Sequence, residues 1–136
     1  MKTPTLLVVL AVLGISCSNP TTKTDMVFDP LPEGPATFDL VQKTVFNGSC
    51  ALSGCHRNNV APDLSAGRSY AAIVDVRSSR RMALVEPGDA DNSYLYLKII
   101  ADAEISGRRM PPGGPYLGAE EIELVRAWIE RGAPDD

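Results

Sequence analysis

Three residues near the middle of the chain have the types and the spacing for cofactor chemistry. Cys50 and Cys55 are separated by four residues, and His56, the single histidine of the chain, directly follows the second cysteine. Two thiols can add across the two vinyl groups of a haem, and the adjacent imidazole can then ligate the iron. The run therefore predicts covalent attachment of one haem c through Cys50 and Cys55, with His56 as an axial ligand.

Two other chemistries are open to the same residues. In an oxidising compartment, Cys50 and Cys55 could close a small disulfide loop, which would leave His56 as an ordinary surface residue. A zinc site is a poorer match, because zinc usually has four protein ligands, or three at a catalytic site, and this segment offers only two thiols and one imidazole. We therefore favour haem over a disulfide, and a disulfide over zinc.

A second axial ligand must come from elsewhere in the chain. With no other histidine present, methionine is the next soft ligand. Met110 lies in a loop of prolines and glycines, Arg108–Gly114, where proline keeps the chain extended and glycine permits a close approach to a flat cofactor. Met82 lies in the apolar segment Met82–Val85 and is expected to fill the core. We expect Met110 to be the ligand, and the alternative for it is simple packing.

The first 36 residues carry signals of export. Residues 1–16 have a positive start at Lys2 and a short apolar run, as in a signal peptide. The cysteine that follows, Cys17, resembles the lipidated cysteine of bacterial lipoproteins, and the alternative is a plain secretory signal cut nearby. Residues 17–36, rich in Pro, Thr and Asp, are expected to be a flexible tether, with a docked N-terminal arm as the alternative.

The remaining residues, 37–136, suffice for one domain. The net charge of the whole chain is −4, and its arginines are scattered rather than gathered on one segment. This composition argues against nucleic acid as a partner.

Hydrophobic periodicity predicts about four helices joined by long loops. The first begins after Thr37 as N-cap and ends at Asn47-Gly48. The last covers about Ala119–Arg131, with Ile122, Val125 and Ile129 as its buried stripe and Trp128 at its edge. Two shorter helices lie between them. One is capped by Ser65 and extends to Val74, and the other is capped within Asp91–Ser93 and carries Leu95 to Ile100. So small a helical core would gain much of its apolar surface from a bound haem.

These features together resemble the single-haem cytochrome c domains of exported bacterial lipoproteins. The order is an early helix, the Cys50–His56 run, a Met-Pro loop and a C-terminal helix, and the stretches Val85–Asp89 and Trp128–Ala133 look like that family. The resemblance covers roughly residues 37–134. It implies an all-α, cytochrome c-like fold around one covalently bound haem, with the first and last helices crossing so that Phe38 or Val41 packs near Trp128 or Ile129.

The function implied is that of an electron carrier rather than an enzyme. We expect a monomer anchored through the lipid on Cys17 in the bacterial cell envelope, facing the periplasm or held at the outer membrane, with redox proteins as partners. Arg57, Arg108 and Arg109 are candidates to pair with haem propionates, although solvated surface arginine is the more ordinary role. The alternative functions are a haem sensor or small peroxidase with an open sixth position, and a haem-free, disulfide-stapled binding module.

Overall fold

The computed structural model describes residues 34–136. Five helical segments follow one another: α1 (Phe38–Val41), a π-helical segment (Gln42–Cys50), α2 (Ser69–Ile73), α3 (Tyr94–Ile100) and α4 (Ala119–Glu130). Between residues 34 and 136, extended backbone pairs only as isolated bridges, such as Val74 with Val85 and Arg77 with Ala83. The prediction of an all-α chain is therefore confirmed for this part of the molecule.

The first helix begins where its sequence predicts and ends later. Thr37 is the N-cap, and its Oγ1 accepts a hydrogen bond from the Leu40 N–H at 3.1 Å. The predicted end at Asn47-Gly48 is wrong, because the chain continues as a π-helix through Cys50. The side-chain amide of Gln42 donates a hydrogen bond to the side-chain oxygen Oδ1 of Asn47 at 2.8 Å, five positions along the chain. That spacing matches the i→i+5 repeat of a π-helix, so this side-chain pair favours the wider turn.

Helix α1 packs against α4 through aromatic rings. The Phe38 and Trp128 ring centroids are 5.2 Å apart, which confirms the expected contact between the two terminal helices. Trp128 is fully buried, and its indole N–H donates to the Pro134 carbonyl at 3.0 Å. The prediction that Trp128 lies at the edge of the buried stripe is therefore wrong. Leu124, Val125, Trp128 and Ile129 form the buried face, and Ile122 is only partly covered.

Helix α4 has the predicted boundaries to within one residue. Its N-cap is Gly118, whose N–H donates to the Glu121 carboxylate at 2.8 Å, and its C-cap is Arg131. Gly132 follows with φ +95°, a left-handed conformation that glycine adopts without steric cost. The helix thus ends just before Gly132, the glycine that the sequence marks as its stop.

Of the serines predicted to cap the two middle helices, Ser93 occupies the N-cap position and Ser65 does not. Ser93 is the N-cap of α3, but its hydroxyl donates to the Asp89 carbonyl at 2.7 Å instead of capping the helix. Ser65 does not cap α2, because the N-cap is Arg68 and the Ser65 hydroxyl is buried without a partner. The Ser93 hydroxyl therefore stabilises the turn that precedes α3, whereas the Ser65 hydroxyl makes no hydrogen bond in the loop that precedes α2.

The proposed signal peptide (1–16), the lipidation site Cys17 and nearly all of the tether (17–36) lie outside the described residues. Among the helices of residues 34–136, none is both long enough and apolar enough to cross a membrane.

Candidate functional site

A cavity of about 660 Å³ opens between the π-helical segment, α3 and the loops that join the helices. Pockets for small molecules and cofactors usually have volumes of this order. Its walls are mainly apolar, and these side chains line them: Val45, Phe46, Leu64, Leu84, Leu95, Ile99 and Val125. Polar groups line part of it as well: Arg77, Ser78, Ser79, Lys98 and Ser106.

All four residues predicted to hold the cofactor line this cavity. Cys50, Cys55, His56 and Met110 come from two distant parts of the chain. Cys50 ends the π-helical segment, Cys55 and His56 belong to the turns that follow it, and Met110 lies in the loop between α3 and α4. The structure therefore places all four residues that the sequence analysis singled out on the wall of one cavity.

The ring of His56 is held by backbone carbonyls. Its Nδ1 lies 3.0 Å from the Pro62 carbonyl oxygen and 3.2 Å from that of Val60. A carbonyl only accepts, so Nδ1 carries the proton and donates, which leaves the lone pair of Nε2 free to bind a metal. The His56 backbone is tied as well, because its carbonyl accepts from the Leu64 N–H at 2.7 Å.

The two cysteines are free thiols in different environments. Cys55 is exposed, whereas Cys50 is partly covered at the end of the π-helical segment. Burial raises the pKa of Cys50 to about 12, and the negative charges of Glu121 and of the Cys55 thiolate act in the same direction. Cys50 therefore stays protonated and apolar at neutral pH, as suits a residue on the wall of an apolar cavity.

The two candidate methionine ligands have different positions. The Met110 N–H donates to the Lys98 carbonyl at 2.9 Å, which attaches its loop to α3 beside the cavity. Met82 is half-buried and lies neither on the cavity wall nor in the apolar core formed within residues 34–136. The expectation that Met82 fills the core is wrong for Met82 itself, although Val85 of the same segment is fully buried in the core.

The arginines suggested for propionate binding do not line the cavity. Arg109 instead donates to the Ile99 carbonyl at 2.7 Å and lies over the Tyr116 ring, 4.3 Å from its centroid. The cations on the cavity wall are Arg77 and Lys98, which the sequence analysis missed. No local sequence signal marks them. Arg77 reaches the wall through its bridge to Ala83, and Lys98 through its place on α3.

Within residues 34–136, no group of three or more His, Cys, Asp or Glu side chains is arranged to hold a metal ion. One imidazole and one thioether on opposite faces of a haem iron require no such group.

Comparisons of the chain with protein-family models, with curated proteins and with solved structures gave no match. The resemblance to cytochrome c domains accordingly rests on the residues quoted above. The cavity is a separate observation, since its geometry does not depend on that resemblance.

Proposed function

We propose that this protein is a c-type haem electron carrier with a cytochrome c-like fold. Cys50 and Cys55 would hold one haem covalently, and His56 and Met110 would ligate its iron. The observation that carries the proposal is the meeting of these four side chains on one cavity, although Met110 is far from the other three along the chain.

The residues present suit a haem in chemistry and in shape. The apolar walls match the faces of a porphyrin, and the His56 ring has its Nε2 lone pair free for iron. Haem also carries two carboxylates, and Arg77 with Ser78 and Ser79 supplies hydrogen-bond donors on the same wall. The donor set therefore favours haem over zinc, for which the cavity offers too few ligands.

Attachment needs only the two thiols. Each thiol adds across one vinyl double bond, so that sulfur bonds to one carbon and the thiol hydrogen goes to the other, with no oxidant consumed. When bound, the haem supplies one-electron transfer between ferric and ferrous iron. The chain supplies the rest: Pro62 and Val60 orient His56, and the apolar walls exclude water.

The place of Met110 favours a carrier over a sensor or peroxidase. Those functions need an open sixth position, whereas Met110 lies on the cavity wall, where its thioether can close that position. The chain has no second histidine to assist peroxide cleavage. A haem-free binding module stapled by a Cys50–Cys55 disulfide is the remaining alternative.

The direct test is covalent retention of haem. Protein made in a host that matures c-type haem should keep its haem after denaturation and acid–acetone extraction. The double variant Cys50→Ala/Cys55→Ala should lose it, while a Lys43→Met control should not, because the Lys43 side chain is 69% exposed. A colourless wild-type protein whose mass is reduced by that of two hydrogens would instead establish the disulfide module.

The proposed location follows from the N-terminal signals. A lipid on Cys17 would anchor the domain in the bacterial cell envelope, facing the periplasm or held at the outer membrane, with the tether giving it reach. Redox proteins are the proposed partners of a monomeric carrier.

A further inference from the structure

The loop that carries Met110 is attached to α3 by several polar contacts. This loop, residues 101–118, has little regular structure of its own, and hydrogen bonds to α3 fix the part of it that carries Met110. The Tyr94 hydroxyl accepts from the Ser106 N–H at 2.9 Å. At the other end of α3, the Ile99 carbonyl accepts from Arg109.

Lys98 makes three of these contacts itself. Its ammonium group donates to the carbonyls of Ser106 and Arg108, at 2.9 and 2.5 Å. Its own carbonyl accepts from the Met110 N–H at 2.9 Å. Lys98 therefore contacts the loop at three residues: Ser106, Arg108 and Met110.

The environment of Lys98 indicates a dedicated role. Lys98 is half-buried on the cavity wall, and within residues 34–136 its ammonium group has no carboxylate partner. Its two hydrogen bonds to carbonyls are exposed and charge-assisted. The same two hydrogen bonds fold the loop toward α3, where Met110 lines the cavity.

We propose that Lys98 is a positioning residue, which locks the Met110 loop against α3 and so keeps the Met110 sulfur on the haem iron. This inference rests on the proposed function, because it requires a haem in the cavity and Met110 as a ligand. Lys98 would not bind the iron. It would set the fraction of molecules in which the Met110 loop is closed.

The test compares the haem-loaded wild type with Lys98→Leu, which keeps an apolar side chain but removes the ammonium group and adds no sulfur to the cavity wall. Lys98→Leu should bind carbon monoxide in the ferrous state about tenfold more tightly, because an exogenous ligand binds only in molecules whose loop is open. The sulfur–iron charge-transfer band of the ferric protein should weaken in parallel. Lys98→Arg should restore both properties at least in part, and Lys43→Met should change neither.

A second measurement does not depend on the haem. Amide hydrogen exchange over residues 106–110 should speed up in Lys98→Leu, while exchange in α4 should stay unchanged. Unchanged exchange and carbon monoxide affinity in Lys98→Leu would overturn the positioning role. If exchange speeds up but protein made in a host that matures c-type haem holds no haem, the loop contact stands and the proposed function fails. The role of Lys98 toward iron then fails with it. Failure of Lys98→Arg to restore either property would show that shape, rather than charge, holds the loop.

Discussion

The residues predicted to hold the haem are positioned by contacts of different kinds. His56 is oriented by the Pro62 and Val60 carbonyls, and Cys50 is placed by the π-helical turn that it ends. Met110 is placed by a backbone hydrogen bond to α3. These separate supports mean that the side chains can be tested one at a time.

Met110→Ala is the substitution that bears most directly on ligation. A thioether stabilises ferrous over ferric iron, so its loss should lower the reduction potential by at least about 60 mV, the equivalent of tenfold in a one-electron equilibrium. The ferric protein should also lose its weak red-edge sulfur–iron band. Spectroscopy and a redox titration provide the measurements.

Met82→Leu is the matched control for that experiment, because Met82 does not line the cavity. It should leave both the band and the potential unchanged. If Met82→Leu altered them and Met110→Ala did not, Met82 would become the ligand.

Cys50 and Cys55 should differ in thiol reactivity in the folded, haem-free protein. Burial raises the pKa of Cys50 to about 12, whereas Cys55 is exposed. At neutral pH, the fraction of Cys50 present as thiolate is then roughly a thousandfold lower than that of an ordinary thiol. Alkylation at pH 8 followed by peptide mass mapping should label Cys55 and spare Cys50, and both should react in urea.

The same raised pKa predicts a pH dependence of stability. The folded form favours the protonated Cys50 thiol, so this contribution is fully present below the ordinary thiol pKa and is lost as the pH rises from about 9 toward about 12. The free energy of unfolding of haem-free protein should fall over that range. Cys50→Ala should fall less steeply, and an equal slope would contradict the assignment.

At the scale of elements, the π-helical segment links the core to the loop that holds His56. Gln42 lies at its start and is buried, and its amide donates to the Leu64 carbonyl at 3.1 Å. Leu64 in turn donates to the His56 carbonyl. The side-chain oxygen of Gln42, Oε1, also accepts a hydrogen bond from the buried Ser69 hydroxyl of α2. One side chain thus joins the π-helical segment, the His56 loop and α2.

Gln42→Leu should therefore destabilise the fold more than a surface change would. The substitution keeps the approximate size of the side chain but leaves the Leu64 carbonyl and the Ser69 hydroxyl without this partner. Leaving buried polar groups unsatisfied costs about 1–3 kcal/mol each, so for two groups we expect a loss of roughly 2–6 kcal/mol in the free energy of unfolding. Urea denaturation measures it.

The neighbouring Lys43→Met provides the control for that change. Its ammonium group pairs with Asp39 on the exposed surface, a kind of ion pair that contributes little. Its unfolding midpoint should stay near that of the wild type. Equal losses in the two variants would mean that the Gln42 contacts do not stabilise the fold.

At the scale of the whole described domain, the helices form a buried apolar core and leave an apolar cavity beside it. The contact between Phe38 and Trp128 holds α1 against α4, and the cavity opens on the side of the π-helical segment and α3. Apolar walls of this extent are stabilised when a cofactor removes them from water. The architecture therefore suits a domain that a bound prosthetic group would complete.

The proposed anchor concerns the whole chain and is tested outside the folded domain. Cys17→Ala should abolish lipidation and release the protein from membranes to the soluble fraction after lysis. Mass spectrometry of the mature N-terminus and fractionation provide the measurements. A wild-type protein with no acyl mass and no membrane association would contradict the lipoprotein assignment, while leaving the haem proposal intact.

The sequence alone determined the features that depend on near neighbours. Thr37 as N-cap, the boundaries of α4 and its stop at Gly132 follow from local hydrogen bonding and backbone preference. The grouping of Cys50, Cys55 and His56 is likewise visible in one short run. The helical end at Gly48 was predicted wrongly, because the contacts of Gln42 favour a wider turn that no local rule anticipates.

Only the tertiary structure decided which distant residues share the cavity. Met110 and Met82 have similar chemistry in the sequence, and it is the attachment of the Met110 loop to α3 that puts Met110 on the wall. Arg77 and Lys98 line the cavity, while Arg57, Arg108 and Arg109 do not, although all five are cations in loops or on helix surfaces. The physical reason is that burial and contact depend on how helices and loops pack together, which is a sum over partners remote in sequence.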